Sequence, residues 1–94
     1  VIPIMPKYLV SYRKIETTGQ KPEWASFTTT SDVSLEARAI RERVDKRMSV
    51  FGEHLWGNGE VVWVGAGRLD DVLWKREEAA PDVSVVYGLV EDAK

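Results

Sequence analysis

The chain has 94 residues, 44% hydrophobic and 30% charged, with a formal net charge of −2. That length holds one domain with one modest core. The lack of cysteine excludes disulfides, thiolate metal centres and cysteine nucleophiles, and a single histidine excludes a multi-histidine metal site.

The balance of charge leaves no overall electrostatic footprint for nucleic acid or an anionic membrane. No apolar run approaches the ~18 residues of a membrane span, and no signal-peptide pattern opens the chain. Val1-Ile2-Pro3-Ile4 precede Met5-Pro6-Lys7 and read as a vector-derived or unordered start, leaving residues 5–94 as a single domain.

Tyr8 to Ile15 has strand composition, with Tyr8, Val10 and Tyr12 on one face and Leu9, Ser11, Arg13 and Ile15 on the other. Neither face is purely apolar, as in a sheet covered on one side only. Glu16 to Pro22 is a hairpin connection rich in turn formers. Glu23 to Thr30 is the second strand, antiparallel to the first. Trp24, Ser26 and Thr28 alternate there with Ala25, Phe27 and Thr29.

Asp32 and Ser34 are candidate N-caps for a helix over 35–51. Ala37, Ile40, Val44, Met48 and Phe51 recur at helical spacing and form its packing face. Arg38–Glu42, Arg41–Asp45 and Glu42–Lys46 are ready i,i+4 pairs, worth about 0.2–0.5 kcal/mol each. Gly52 is the expected stop.

Asn58-Gly59 signals a tight turn ahead of a strand from Glu60 to Gly65, whose continuous apolar run suits a central position in the sheet. Asp70 to Ala80 admits both helix and strand; propensity favours helix, although Glu77-Glu78 oppose the dipole at its end. Val83 to Val90 is the last strand, and Glu91 to Lys94 a polar tail. The order β-β-α-β-(α or β)-β predicts a small α+β domain. Its sheet is mostly antiparallel, with four or five strands and one amphipathic helix on one face.

The chemical inventory is thin. His54 beside Glu53 could be a general base, yet adjacent residues on an extended segment point apart. Asp70-Asp71 lack the further oxygen ligands a hard cation needs. Gly65-Ala66-Gly67 lacks the third glycine and the lysine-serine/threonine ending of a phosphate loop. Thr28-Thr29-Thr30-Ser31 supply hydroxyls without a base. No catalytic, cofactor-binding or metal-ligating residue is therefore assigned.

The four tryptophans are the unusual feature of the composition. Trp24, Trp63 and Trp74 fall in or beside apolar runs and read as core. Trp56 lies between Leu55 and a glycine-rich turn, where burial is not forced, and exposed loop aromatics are common interface anchors. The expected function is a non-enzymatic protein-binding module without cofactor, in the cytoplasm. The chain is expected to be a small phage or mobile-element accessory protein that binds and inhibits a host protein. Its predicted contact residues are His54, Leu55, Trp56 and Asn58 on the loop, with Arg38 and Arg41 on the helix. A homodimer is compatible with this reading, and membrane binding is not expected. The alternative is a nucleic-acid-associated protein using the basic helix face or Tyr8, Tyr12 and Trp24. A third class is an enzyme subunit completed by a partner's residues.

Overall fold

The structure is a computed structural model that describes residues 6–15 and 21–91. The expected start at 1–4, most of the hairpin connection and the last three residues lie outside the described residues. The elements are strand β1 (Lys7–Ile15), strand β2 (Pro22–Thr30), helix α1 (Ala37–Phe51), strand β3 (Val61–Gly67), helix α2 (Leu69–Trp74) and strand β4 (Val85–Val90). A 3₁₀ turn, Lys75–Glu78, continues α2. This is the expected α+β domain, and the ambiguous stretch after Asp70 is helical, with Asp70 and Asp71 in the first turn of α2.

The sheet order is β2-β1-β4-β3. β1 pairs antiparallel with both β2 and β4, whereas β3 and β4 run parallel. The sheet is mostly antiparallel, as expected, with one parallel pair, because β3 and β4 are joined by a crossover through α2 and not by a hairpin. One expectation changes here. The apolar strand after Asn58-Gly59 lies at an edge; the central positions belong to β1 and β4, and residues Val83 to Gly88, which lead into and form most of β4, are all buried.

The alternation in β1 and β2 holds. Val10 stands opposite Phe27 and Tyr87, and Tyr12 opposite Ala25 and Val85. These side chains meet Ile40, Val44 and Met48 of α1 in one core, with Val10, Ile40, Val44 and Val85 fully buried. Phe51 departs from its expected place: it is exposed, stacked beneath Arg47, because α1 ends there at Gly52 in the left-handed region. The helix has no side-chain cap. Its N-cap is Glu36, and the preceding Leu35 N–H donates to the Tyr8 hydroxyl, while Ser31 Oγ takes the Val33 amide in a turn.

The other face is also covered, contrary to expectation. α2 and the 3₁₀ turn lie across it, so Leu9, Ser11, Arg13 and Val86 are buried as well. Val72 of α2 sits over Gly88, and Arg76 reaches the Ser26 hydroxyl, itself paired with Ser11 Oγ at 2.8 Å. Arg13 stacks on Trp24, 4.4 Å from the ring centre, and donates through Nη1 to the Pro81 carbonyl at 2.7 Å. Among the described residues no helix is long and apolar enough to cross a membrane.

Gly88 has a strict packing role. A Cβ there would lie 2.5 Å from the Gly65 carbonyl oxygen and 2.8 Å from Val72 Cγ1. The Gly88→Ala variant is expected to lose about 2–3 kcal/mol, since backbone on one side and a buried side chain on the other must both give way. Urea unfolding against the parent chain checks this; an unchanged midpoint would contradict the close approach.

Candidate interaction surface

The loop from Glu53 to Gly59 is not a free loop. Ile15 N–H donates to the His54 carbonyl, Trp56 N–H to the Arg13 carbonyl, and Lys14 pairs with Leu55 in an antiparallel bridge. Residues 54–56 thus continue the sheet beside the end of β1. Beyond them Asn58 N–H donates to the Asp82 carbonyl, and Gly59 N–H to Ser84 Oγ. A Cβ at Gly57 would lie 2.5 Å from the Asp82 carbonyl oxygen. The glycines serve close passage of the backbone rather than freedom.

The predicted contact residues separate accordingly. Leu55 is half-buried and packs on the α1 core. Trp56 is half-buried and in register with Arg13, which places it on the opposite face of the sheet. Leu55 and Trp56 therefore do not form the single apolar patch expected of them, because neighbours on an extended segment point to opposite faces. Asn58 is exposed, with its Nδ2 donating to Asp82 Oδ2 and its Oδ1 accepting the Glu60 amide. Arg41 bonds Asp45 Oδ1 and the Gly59 carbonyl, both at 3.0 Å, and ties α1 to the loop. His54 and Arg38 are exposed.

Glu53 is not placed to orient His54. Its Oε1 accepts from the Tyr12 hydroxyl and its Oε2 pairs with Lys14 Nζ, each at 2.7 Å. Burial pushes the carboxyl up, but Lys14, the Tyr12 hydroxyl and the charge of Arg47 together hold it below its ordinary value. Burial and the Glu53 carboxylate raise the Tyr12 phenol. This cluster clamps the C-terminal end of α1 to β1. Among the described residues no three metal-ligating side chains gather.

The surface that sequence reasoning missed is the outer edge of β3. Val85 N–H donates to the Glu60 carbonyl. A parallel ladder uses alternate residues, so Glu60, Val62 and Val64 face β4 while the N–H and C=O groups of Val61 and Trp63 point away from the sheet. Residues 61–67 carry no charge and no proline. The β2 edge, by contrast, opens with Lys21-Pro22-Glu23, which blunts pairing. Trp63 packs edge-on against Tyr87 yet is 47% exposed. A cleft lies on each side of this edge. On the α1 side one of about 410 Å³ is lined by Tyr8, Leu35, Ala37, Trp63, Tyr87 and Leu89. On the α2 side one of about 520 Å³ is lined by Val62, Val64, Lys75, Glu78, Val83 and Glu60, among others.

Comparison of the chain with protein families, curated proteins and solved structures returns no match.

Two outcomes follow from the loop geometry. A carboxylate held below its ordinary value adds stability above the carboxylate range, lost as pH falls through the lowered folded value. Melting temperature recorded from neutral to acidic pH is expected to show a shallower acid decline in Glu53→Gln than in the parent chain; parallel declines would contradict the clamp. Trp56→Ala is expected to cost on the order of 2 kcal/mol in urea unfolding, because a half-buried ring leaves a gap beside Arg13. Unchanged stability would return Trp56 to the role of a free surface anchor.

Proposed function

We propose that this domain is a non-enzymatic protein-binding module whose binding element is the outer edge of β3. One observation carries the reading: the outward N–H and C=O groups of Val61 and Trp63 run between two clefts, one on each face of the same strand. An extended segment laid along that edge makes main-chain hydrogen bonds, and its alternate side chains enter one cleft or the other. Trp63 supplies the aromatic contact that the sequence places on Trp56.

The remaining chemistry fits this reading. Both oxygens of the carboxylate beside His54 are engaged by Tyr12 and Lys14. On α1, Arg41 is committed to Asp45 and Gly59, Arg43 to Thr29, and Arg47 stacks on Phe27 and Phe51. Such engagement weighs against a helix face reserved for phosphates. The domain acts by occupying a partner rather than transforming it, as a small accessory protein that inhibits a host protein would. Asn58 and Arg38 are exposed, whereas His54 lies apart from this edge, beside Ile15 and in one cleft with Glu23.

Selection from a displayed library of random linear peptides tests this reading. Extended peptides with alternating apolar positions are expected, and Trp63→Lys is expected to weaken their binding about tenfold or more. The melting temperature should fall only modestly, because Trp63 is half-exposed on an edge and gives up one edge-on contact with Tyr87. Peptides that bind Trp63→Lys as well as the parent chain would overturn the β3 edge as the binding element.

A further inference from the structure

We infer that the strand received by the β3 edge is β3 of a second copy, so that one continuous sheet runs through a two-fold symmetric dimer. The inference rests on the reading of β3 as a strand-accepting edge and names its occupant in the free protein, which a partner's strand must displace. Two copies set antiparallel about Val62 place Val61 opposite Trp63 of the second copy, and Trp63 opposite its Val61. The outward groups of these residues then close reciprocal N–H···O=C bonds. Residues 61–67 hold no charge, so the strand meets its own copy without like-charge repulsion.

Charge complementarity on the α2 side selects a second copy over an arbitrary strand. Glu60 and Lys75 line the same cleft, and among the described residues neither takes part in an ion pair. The Lys75 ammonium stands over Gly65, 3.1 Å from where a Cβ would lie. The register centred on Val62 sets Glu60 of the second copy opposite Val64, on the face that Lys75 covers and one residue from Gly65. Each copy thus brings a carboxylate to the other's unpaired ammonium, and the two-fold axis makes the contact twice. The pairing also seats Val61 of one copy against the exposed ring of Trp63 of the other.

Sedimentation velocity from low micromolar up to about 200 μM, a range that reaches weak dimers, measures association directly. The parent chain is expected to dimerise. Glu60→Lys and Lys75→Glu are each expected to raise the dissociation constant about tenfold or more, and the double variant to restore it, because reversal of both charges recreates the pair. The chain has no cysteine, so single cysteines report register cleanly. Val62→Cys is expected to form a disulfide dimer under mild oxidation, since its Cα lies roughly 4.5 Å from its symmetry mate. Val64→Cys is not, being offset by about 13 Å. A monomer throughout, or a dimer that neither charge reversal weakens and Val62→Cys does not cross-link, overturns the second copy as occupant. Trp63-dependent peptide binding in that case leaves the strand-accepting edge standing; its loss as well overturns both readings.

Discussion

The absence of a side chain at Gly88 is the constraint on which the sheet's arrangement turns. β4 must carry two neighbours on its α2 face, the Gly65 carbonyl from β3 and Val72 from α2, at distances no Cβ tolerates. Because Gly88 leaves that space, the bulge at Val64–Gly65 settles onto β4 and α2 settles onto both strands. Gly65 takes a φ of 104° there, a backbone region glycine enters without steric cost. The short crossover then returns the chain parallel to β3, and β4 enters the sheet between β1 and β3. The C-terminal strand becomes the centre, and the strand before it becomes an edge.

Polar groups buried at the other end of the sheet follow from the same closure. Arg13 on β1 is covered by the segment that leads from the 3₁₀ turn into β4, and it is held there by Trp24 and the Pro81 carbonyl. Its Nε has no hydrogen-bond partner among the described residues, so stacking and one charge-assisted bond must offset the cost of burial. On the opposite face Tyr12 and Lys14 hold Glu53. Successive residues of β1 thereby fix the loop after α1 from both sides. That loop is scaffold, and the open backbone edge beside the two clefts lies at β3 instead.

The periodicities were legible because each is set by its own element. Tyr8, Val10 and Tyr12 alternate, and Ile40, Val44 and Met48 recur at helical spacing, whatever the chain does elsewhere. Strand order is set by contacts remote in sequence, so it was not. The run Val61–Val64 reads as a buried centre because continuous apolar residues suit a strand covered on both faces. Here both faces are half-covered, by α1 and α2, and the strand is still an edge. A signal was present in Gly65 and Gly67, which weaken a central strand but suit a bulge and a close approach. Trp56 misled for a related reason: the glycines after it read as freedom, whereas Gly57 lets the backbone pass against Asp82. Its place in an apolar run suggests a core position for Trp63, and only the edge position explains its exposure.

Amide hydrogen exchange across β3, followed by NMR at two protein concentrations, tests the open edge most directly. In dilute solution the Val62 and Val64 amides should be protected by their bonds to β4, while those of Val61 and Trp63 exchange rapidly. At high concentration the Val61 and Trp63 amides should slow as the edge is paired, with Val62 and Val64 unchanged. Uniform protection of all four amides at both concentrations would contradict an open edge and return β3 to the centre of the sheet.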